Sequence, residues 1–506
     1  MPRRSSVRPS RPARAARLAL AALLALPGAA AAQPPVAESA VSEYEARRET
    51  VARQMGEGVL LVLGAPEPAQ DYLGFFQDPA LDYLAGVREP GAALVLVKRG
   101  GAAQAMLFVE PRDPTREVWS GSRLGAEAAT RLTGVPARPA SELAAALDSL
   151  LGATDTLFLA GAGVPTRSLG APQIGLPLVE RLRRAKPALE VRGAGALLLR
   201  ARGYKSPAEL ELIRKAVRIT TAAHRDAMRL VEPGMNEFEV QALVEYTFRR
   251  NGADRPSFAT IVGSGPNSTT LHYNRNDRFM AAGETVVMDI GASYRGYAAD
   301  VTRTVPVSGT FTADQRAIYQ IVRDAQAAAE RQARVGTPWR QLADSASATL
   351  AAGLARLGLI ESATATYECS ATRRCPQLGL FYMHGLGHGI GLEVHDPDQH
   401  ETAGKLGVGS VFTIEPGIYV RATLLDVIPD TPANRGLRER LRQLLPRFAN
   451  LGVRIEDDYE VTAQGLEWLS RGAPREIAEI EALMREPWTG PSPRNAEMVE
   501  WYRGKP

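Results

Sequence analysis

Cysteine and histidine are both scarce in this chain of 506 residues, which contains two cysteines and six histidines. Two cysteines, Cys369 and Cys375, can close at most one small loop by a disulfide in an oxidising compartment, and in a reducing one they are ordinary thiols. Long apolar runs are also lacking after residue 32. A membrane-spanning helix needs roughly 20 such residues, so the sequence predicts no membrane span.

Acidic residues are absent from the first 17 residues, which carry six arginines. The apolar stretch LALAALLALPGAAAA follows and ends in small residues. A basic segment, a short apolar segment and an A-x-A end are typical of a secretory signal peptide. We therefore expect residues 1–32 to be a signal peptide and the protein to be exported, to a bacterial periplasm or outside the cell. A disordered leader or an organelle transit peptide is the alternative.

The chain has little excess of positive charge once this leader is set aside. Its formal net charge of +4 becomes 4 − 6 = −2 without the six leader arginines. Domains that bind nucleic acid present a strongly basic surface, so nucleic acid is excluded as a partner. A hydrophobic content of 45% and a charged content of 23% indicate a folded soluble protein. The length predicts two domains.

The first predicted domain covers residues 43–200. Apolar runs such as GVLLVLGA and AALVLVK alternate there with helical patterns such as SELAAALDSLL. This alternation predicts an α/β domain with a partly parallel sheet. The segment contains no histidine and no clustered acids, so we expect it to accompany the active site without supplying it.

The second predicted domain covers residues 201–473. Three of its helices are predicted to begin with a capping box, in which a polar cap residue is followed three residues later by a Glu or Gln that bonds back to it. The pairs are Ser206 with Glu209, Asn236 with Glu239, and Thr312 with Gln315. Strand-like segments lie between and after these helices, and the mixture predicts an α+β domain. Residues 474–506 are predicted to be a tail without an assignable function.

Four acidic residues lie in strand-like segments of the second domain. They are Asp289 in VVMDIGA, Asp300 in YAADVTRT, Glu415 in FTIEPGIYV and Glu456 in VRIEDDYEV. Carboxylates are depleted in strands, and burying one without a partner costs several kcal/mol. Structural ion pairs are the alternative, but the same segments offer only three cations, Arg295, Arg303 and Arg454. The pattern therefore favours a ligand-binding site.

Three of the six histidines fall within MHGLGHGIGLEVHD, residues 383–396. Four carboxylates and one imidazole make a hard donor set that suits Mn²⁺, with Co²⁺ or Zn²⁺ as alternatives. Four negative charges are neutralised by two divalent cations and not by one. We therefore expect a site for two divalent metal ions.

These motifs resemble a known family. In order and spacing, TIVGSGPNSTTLHY, VVMDIGA, AADVTRT, the histidine motif, TIEPGIY and RIEDDYEVT are similar to the metallopeptidases of the pita-bread (creatinase/aminopeptidase) fold, and most similar to the aminopeptidase P family. Near the amino terminus, YLAGVREPGAALVLV and REVWSGSRLGAEAA resemble the domain of that family more than that of prolidase. The resemblance implies an α/β amino-terminal domain plus an α+β pita-bread catalytic domain.

The resemblance also assigns site residues. It implies that Asp300 and Glu456 bridge two metal ions, that Asp289 holds one ion, and that His388 and Glu415 hold the other. Three histidines would position the substrate and stabilise the tetrahedral intermediate, and one arginine would lie near the bridging carboxylates. These residues are His272, His384, His395 and Arg454.

The implied activity is release of the amino-terminal residue from peptides with proline in the second position. Metal-activated hydroxide would attack the carbonyl carbon, and Glu415 would take the proton. Prolidase, which cuts Xaa-Pro dipeptides, is the nearest alternative, and a non-catalytic pita-bread binding protein is another. The family forms dimers or tetramers in which a tryptophan matching Trp119 reaches a neighbouring active site, although core packing is an alternative for this residue.

Two histidines and two segments fall outside this pattern. His224 within the first long helix and His400 in a polar loop are expected to be structural. Residues 369–377 look like an insertion, and the connection between Glu415 and Glu456 is long. Both segments are expected to frame the active-site mouth and to influence substrate preference.

Overall fold

The computed structural model describes residues 40–70, 73–161, 177–492 and 500. The predicted signal peptide, residues 1–32, lies outside the described residues, as do residues 493–499 and 501–506 of the predicted tail. No helix in these described ranges is long and apolar enough to cross a membrane.

The amino-terminal half is a six-stranded mixed sheet flanked by helices, in the strand order β4-β3-β2-β1-β5-β6. The strands are β1 (Gly58–Leu63), β2 (Ala93–Arg99), β3 (Ala102–Val109), β4 (Ala137–Pro139), β5 (Thr156–Gly161) and β6 (Glu190–Gly193). The helices are α1 (Val41–Gln54), α2 (Pro79–Ala85), α3 (Pro114–Ser120), α4 (Gly125–Thr133), α5 (Leu143–Leu151), α6 (Pro177–Ala185) and α7 (Gly195–Arg202).

Strand β1 shows why this sheet is covered on both faces. Its alternate residues point to opposite sides. Leu60 and Val62 pack into one hydrophobic core, and Val59 and Leu61 pack into a second core on the other side. Strand β1 pairs in parallel with β5 and antiparallel with β2, so the sheet is partly parallel, as the sequence predicts.

The carboxy-terminal half combines long helices with several small antiparallel sheets. Its helices are α8 (Pro207–Leu230), α9 (Glu237–Arg250), α10 (Ala313–Glu330), α11 (Trp339–Arg356), α12 (Gln399–Ala403), α13 (Arg435–Phe448) and α14 (Ile477–Met484). Its strands are β7 (Arg255–Pro256), β8 (Ile261–Ser264), β9 (Thr285–Ile290), β10 (Ala292–Tyr294), β11 (Tyr297–Ala298), β12 (Val301–Pro306), β13 (Thr366–Ser370), β14 (Arg373–Pro376), β15 (Val411–Ile414), β16 (Gly417–Val420), β17 (Leu451–Arg454), β18 (Asp457–Thr462) and β19 (Gly465–Trp468).

Helices α8, α9 and α10 begin where the sequence predicts. Each of the three expected capping boxes is formed. The cap side chain accepts from a backbone N–H of the first turn, and the Glu or Gln side chain three residues later accepts from the backbone N–H of the cap residue. Each box satisfies two backbone N–H groups that would otherwise lack partners at the helix start. These helices pack apolar faces against the sheets and build one large core.

The sheets bring the motifs together. Strand β9 pairs antiparallel with β12, which places Asp289 opposite Thr302. An isolated bridge then joins Thr302 to Glu456, on the connection between β17 and β18. Strand β15 pairs with β18, and its end carries the chain to Glu415. Segments that are far apart in sequence therefore converge on one point.

Two features of the periphery complete the fold. Cys369 and Cys375 form a disulfide that closes the hairpin of β13 and β14, with their Cα atoms 5.7 Å apart. In the predicted tail, α14 buries Ile480 and Leu483 in the core of the carboxy-terminal half.

Candidate metal centre

A cavity of about 360 Å³ contains every residue that the sequence analysis assigns to the site. Its lining residues are Leu271, His272, Asp289, Asp300, His384, Gly385, Gly387, His388, His395, Glu401, Glu415, Arg454 and Glu456. The structure thus brings together side chains from six separate motifs. The role of each residue stays a prediction at this point.

The four acids are not all inside regular strands, although the sequence places each of them in a strand-like segment. Asp289 lies inside β9, but Asp300 directly precedes β12, and Glu415 directly follows β15. Glu456 occupies the break between β17 and β18. At such breaks the backbone leaves regular pairing, so side chains from neighbouring strands can turn toward a common point. Three of the four acids therefore lie just outside the regular strands and not within them.

His388 stands at the centre of the carboxylates. Its Nε2 lies 3.6 Å from Asp300 Oδ2, 3.7 Å from Glu415 Oε1 and 4.0 Å from Glu456 Oε1. Its Nδ1 lies 3.1 Å from the carbonyl oxygen of Gly389. A backbone carbonyl on one ring nitrogen fixes the tautomer and turns the other nitrogen toward a metal ion. This is the arrangement expected of a histidine ligand.

The buried oxygens of this group fit a metal ion. Asp289 Oδ1, Asp300 Oδ1 and Glu456 Oε1 are buried without a hydrogen-bond partner among the described residues. Asp300, His388 and Glu456 offer ligand atoms that lie within 4.8 Å of one another. Buried oxygens without partners are costly unless a cation or proton compensates them. The donor set therefore suits divalent cations that prefer oxygen with one nitrogen.

Protonation compensates these acids in the absence of cations. Burial, together with the neighbouring Glu456, raises the pKa of Asp300 well above its usual range. Burial and Glu456 act on Glu415 in the same direction, raising its pKa. Burial and the charge of Asp289 raise the pKa of Glu456 to about 8. Cations bound here would have to displace these protons.

Arg454 compensates one of the acids directly. Its Nη2 donates to Asp289 Oδ2 at 2.5 Å, and its Nη1 donates to Tyr419 Oη at 2.9 Å. Its Nε donates to Thr302 Oγ1 at 3.2 Å, and that hydroxyl donates to Glu456 Oε2 at 2.7 Å. Arg454 is therefore anchored on three side chains around the carboxylates. Sequence reasoning placed Arg454 here but missed Thr302 and Tyr419.

His384 belongs to the same hydrogen-bonded group. Its Nε2 lies 2.8 Å from Tyr419 Oη, and its Nδ1 lies 2.8 Å from the carbonyl oxygen of Gly385. Burial and the charge of Arg454 lower the pKa of His384 to about 4. The ring is therefore neutral at physiological pH.

His395 lies beside His388, with ring centroids 3.9 Å apart. The next residue, Asp396, is held by two cations from the junction of the halves. Arg202 Nη2 pairs with Asp396 Oδ1, and Lys205 Nζ donates to Asp396 Oδ2 at 2.7 Å. All three side chains are at most 2% exposed. These contacts fix the backbone that carries His395, and no pattern in the sequence indicated them.

Burial divides the cavity into a floor and a mouth. Asp289, Asp300, Arg454 and Glu456 are buried and form the floor. His384, His388 and Glu415 are half-buried above them, whereas His272, Gly385, His395 and Glu401 are exposed and form the mouth. Glu401 is a lining residue that the sequence analysis did not single out.

The remaining histidines and Trp119 lie elsewhere. His224 is buried on α8, with Nε2 2.8 Å from the carbonyl oxygen of Val301. His400 is buried on α12, 2.7 Å from Asp398 Oδ1, and its ring stacks on Trp339. Both have the structural roles expected of them. Trp119 is 76% exposed, so the alternative of core packing is wrong for this residue.

A group of buried carboxylates around one imidazole, on the floor of an open cavity, defines a metal-dependent hydrolase site. The chain belongs to metallopeptidase family M24, whose sequence profile matches residues 211–463. The profile of the aminopeptidase P, N-terminal domain, matches residues 44–158. The predicted family and fold class are thereby confirmed.

Individual relatives agree with this family. The Xaa-Pro aminopeptidase of Escherichia coli is 34% identical over 463 residues, which is 89% of this chain and 99% of that protein. The structure of Pseudomonas aeruginosa aminopeptidase PepP superposes with a TM-score of 0.74 at 30% identity, covering 89% of this chain and 99% of the other. Human Xaa-Pro dipeptidase is 35% identical, but over 58% of this chain and 64% of its own length.

Proposed function

We propose that this protein is an Xaa-Pro aminopeptidase, a metal-dependent exopeptidase that releases the first residue of peptides with proline in second position. The observation that carries the proposal is the similarity to the Escherichia coli Xaa-Pro aminopeptidase, which spans both halves of the chain. The similarity to the dipeptidase covers much less of it. The complete set of metal-ligating side chains in one cavity argues against a non-catalytic binding protein.

Asp289, Asp300 and Glu456 at the floor, together with His388 and Glu415, would hold two divalent cations, which would supply a hydroxide nucleophile at neutral pH. Glu415, half-buried beside His388, would accept the proton that this nucleophile releases. His384 is neutral, and its one N–H is donated to the carbonyl oxygen of Gly385, so its Nε2 accepts from Tyr419 and the ring helps to position that hydroxyl beside Arg454. We assign to His395 at the mouth the stabilisation of the developing oxyanion.

A free amino terminus is part of what the site would bind. Asp289 lies at the floor, paired with Arg454, and the amine of the first residue of a peptide would lie close to Asp289 and the cation that it would hold. An acetylated amino terminus cannot make this contact.

The test uses the protein without its leader, stripped with a chelator and assayed on Ala-Pro-Ala with and without added Mn²⁺. We expect release of alanine only after metal is restored, and none from acetyl-Ala-Pro-Ala. Cleavage of the acetylated peptide at a similar rate would contradict the exopeptidase mechanism. Turnover of Ala-Pro without turnover of Ala-Pro-Ala would identify a dipeptidase.

We propose Mn²⁺ as the cation because four of the five ligands are hard carboxylates, with Co²⁺ or Zn²⁺ as alternatives. Elemental analysis of protein purified without added metal tests this choice. The expected result is two metal ions per chain, with more manganese than cobalt or zinc. Zinc in excess would contradict it.

We further propose export to a periplasm or outside the cell, and assembly into a dimer or tetramer. The basic and apolar leader supports export, and so does the disulfide of Cys369 and Cys375. Exposed Val118 and Trp119 on α3, at 80% and 76%, support a contact with a second copy. Cell fractionation and light scattering test these two proposals.

A further inference from the structure

Glu237 is a buried acid that belongs neither to the candidate metal centre nor to a capping box. It is the first residue of α9, it lies between the cap Asn236 and Glu239, and it is fully buried. The helix dipole favours a negative charge at the start of a helix, but burying a carboxylate is costly unless donors surround it. The donors around Glu237 therefore indicate what the side chain does.

The carboxylate of Glu237 accepts hydrogen bonds from the last residue of β8 and from the loop that joins β8 to β9. Its Oε1 accepts from the backbone N–H and the hydroxyl of Ser264, both at 2.7 Å, and from Asn267 Nδ2 at 3.2 Å. Its Oε2 accepts from the hydroxyl of Tyr273 at 2.8 Å and from the backbone N–H of Arg278 at 3.0 Å. One side chain thus anchors this loop at several points along its length.

The β8–β9 loop carries His272 to the mouth of the cavity. The loop is tied on both sides of this histidine. On one side, the carbonyl oxygen of Leu271 accepts from Arg454 Nη2 at 3.4 Å. On the other side, Tyr273 donates to Glu237. His272 therefore lies between a contact with the metal centre and a contact with α9.

Helix α9 is a rigid support for the second of these contacts. The helix begins with a formed capping box, and it packs Val240, Val244 and Phe248 into the large core. A misplacement of about 1 Å in a group that acts on the substrate can cost about 10²-fold in rate. An exposed histidine on a loop is placed accurately only if a packed element holds the loop.

We propose that Glu237 is a positioning residue, which holds the β8–β9 loop so that His272 stays at the mouth of the cavity. Glu237 is not among the residues that line the cavity, so it acts through the loop. The expected effect on rate rests on the proposed aminopeptidase function, whereas the placement of the His272 ring can be measured without it.

The test uses the mature chain and a small set of variants. Glu237→Gln keeps the shape of the side chain but turns an amide group toward donors, and Tyr273→Phe removes only the contact next to His272. Glu481→Gln is the matched control, because Glu481 is a mostly buried carboxylate that accepts from the backbone N–H of Phe311 at 2.9 Å, outside the cavity lining. His272→Ala is made alone and in combination with each of the first two variants.

We expect Glu237→Gln to lower kcat/KM on Ala-Pro-Ala by roughly 10–100-fold, Tyr273→Phe to lower it less, and Glu481→Gln to leave it unchanged. If Glu237 acts through His272, each double variant should be at most about twofold worse than the worse of its two single variants. The affinity for Mn²⁺, measured by calorimetry, should stay the same, because Glu237 contacts none of the candidate ligands. Tyr273→Phe decides the question if Glu237→Gln does not fold.

NMR of isotope-labelled histidine rings in the metal-free protein gives a readout that does not depend on activity. The signal of His272 is identified by its absence in His272→Ala. It should shift in Glu237→Gln and in Tyr273→Phe, whereas the signals of the buried His224 and His400 should stay in place. A general loss of stability would not move this one signal.

An unmoved His272 signal in both variants would overturn the inference, and so would losses of kcat/KM that multiply in the double variants. A fully active His272→Ala variant would overturn it too, because placement of this ring would then not matter. A wild-type enzyme that fails on Ala-Pro-Ala would instead contradict the proposed function, and the NMR comparison would still show whether Glu237 places His272. The two failures are therefore distinguishable.

Discussion

Glu456 and Asp457 are neighbours in sequence and are both buried, yet their surroundings are opposite. Asp457 accepts from Arg303, Arg475 and Ser470, and although burial alone would raise its pKa, the two arginines hold that pKa below its usual range. Glu456 Oε1 has no hydrogen-bond partner in the described part of the chain, and its pKa is raised to about 8. Successive residues of an extended chain face opposite sides, so one strand break serves a structural cluster on one side and the ligand group on the other.

The difference separates two uses of a buried acid. A carboxylate that is fully paired with arginines contributes to the fold, and removing it leaves buried cations without partners. A carboxylate without partners costs stability in the metal-free protein and is retained for what it binds. Asp396, paired with Arg202 and Lys205, belongs to the first class.

Glu456→Gln is expected to give the largest effect on activity. Losing one electrostatic group at a reaction centre lowers kcat by about 10²–10³-fold, and loss of a metal ligand should reach at least this. Because only a proton compensates this buried acid in the metal-free protein, the metal-free variant should unfold at no lower urea concentration than the metal-free wild type. Assays on Ala-Pro-Ala and urea unfolding in chelator measure both quantities. A clear loss of stability in chelator would place Glu456 with the structural acids.

Asp457→Asn is the adjacent and nearly isosteric counterpart. We expect it to lower the free energy of unfolding by about 3–5 kcal/mol, because Arg303 and Arg475 stay buried with less compensation. Urea denaturation in chelator measures this change directly. A loss of unfolding free energy smaller than the one caused by Glu456→Gln would contradict the contrast between the two residues.

The affinity for metal should depend on pH with a defined sign. The ordinary pKa of a glutamate is 4.5, and that of Glu456 is raised to about 8. The metal-free protein therefore loses stability from this group as the pH rises between these values, and below pH 8 a cation must displace a proton. Calorimetric titration with Mn²⁺ should show affinity rising about tenfold per pH unit for each proton released. An affinity independent of pH between 6 and 8 would contradict the assigned compensation by protons.

Thr302→Val should give the smallest effect. The substitution removes the hydroxyl that donates to Glu456 Oε2, and loss of such an orienting contact lowers metal affinity by roughly 10–100-fold. Thr304→Val is the matched control, because Thr304 lies two residues along the same strand face and its hydroxyl donates to the backbone carbonyl of Arg454. We expect Thr304→Val to reduce stability to a similar extent without changing Mn²⁺ affinity. Equal losses of affinity in both variants would show a general effect of the strand.

Local signals allowed much of this molecule to be predicted from its sequence. The capping boxes of α8, α9 and α10 depend on residues three positions apart, and all three form. The order of the acid and histidine motifs indicated the site and the family. The run IEDD, however, did not by itself distinguish Glu456 from Asp457, because that difference depends on cations that lie 154 and 18 positions away in sequence.

The residues at the mouth of the cavity and the contacts around His395 could not be predicted from local patterns. Arg202 and Lys205 reach Asp396 across 194 and 191 positions, so neither pairing leaves a local pattern. The sequence analysis describes the segment around Glu401 as a polar loop. Its place in the cavity lining depends on how α12 packs against the rest of the protein. Contacts of this kind are decided by how distant elements pack, which spacing in sequence does not encode.

The pairing of Asp396 also limits how the protein can be divided. A fragment beginning at Ser206 would retain every candidate metal ligand, but it would lack Arg202 and Lys205 and would leave a buried carboxylate beside His395 uncompensated. The last turn of α7 and the link to α8 thus stabilise the catalytic half, although Arg202 is the last residue of the last helix of the amino-terminal half. Any excised catalytic fragment or domain exchange should therefore be cut before Arg202.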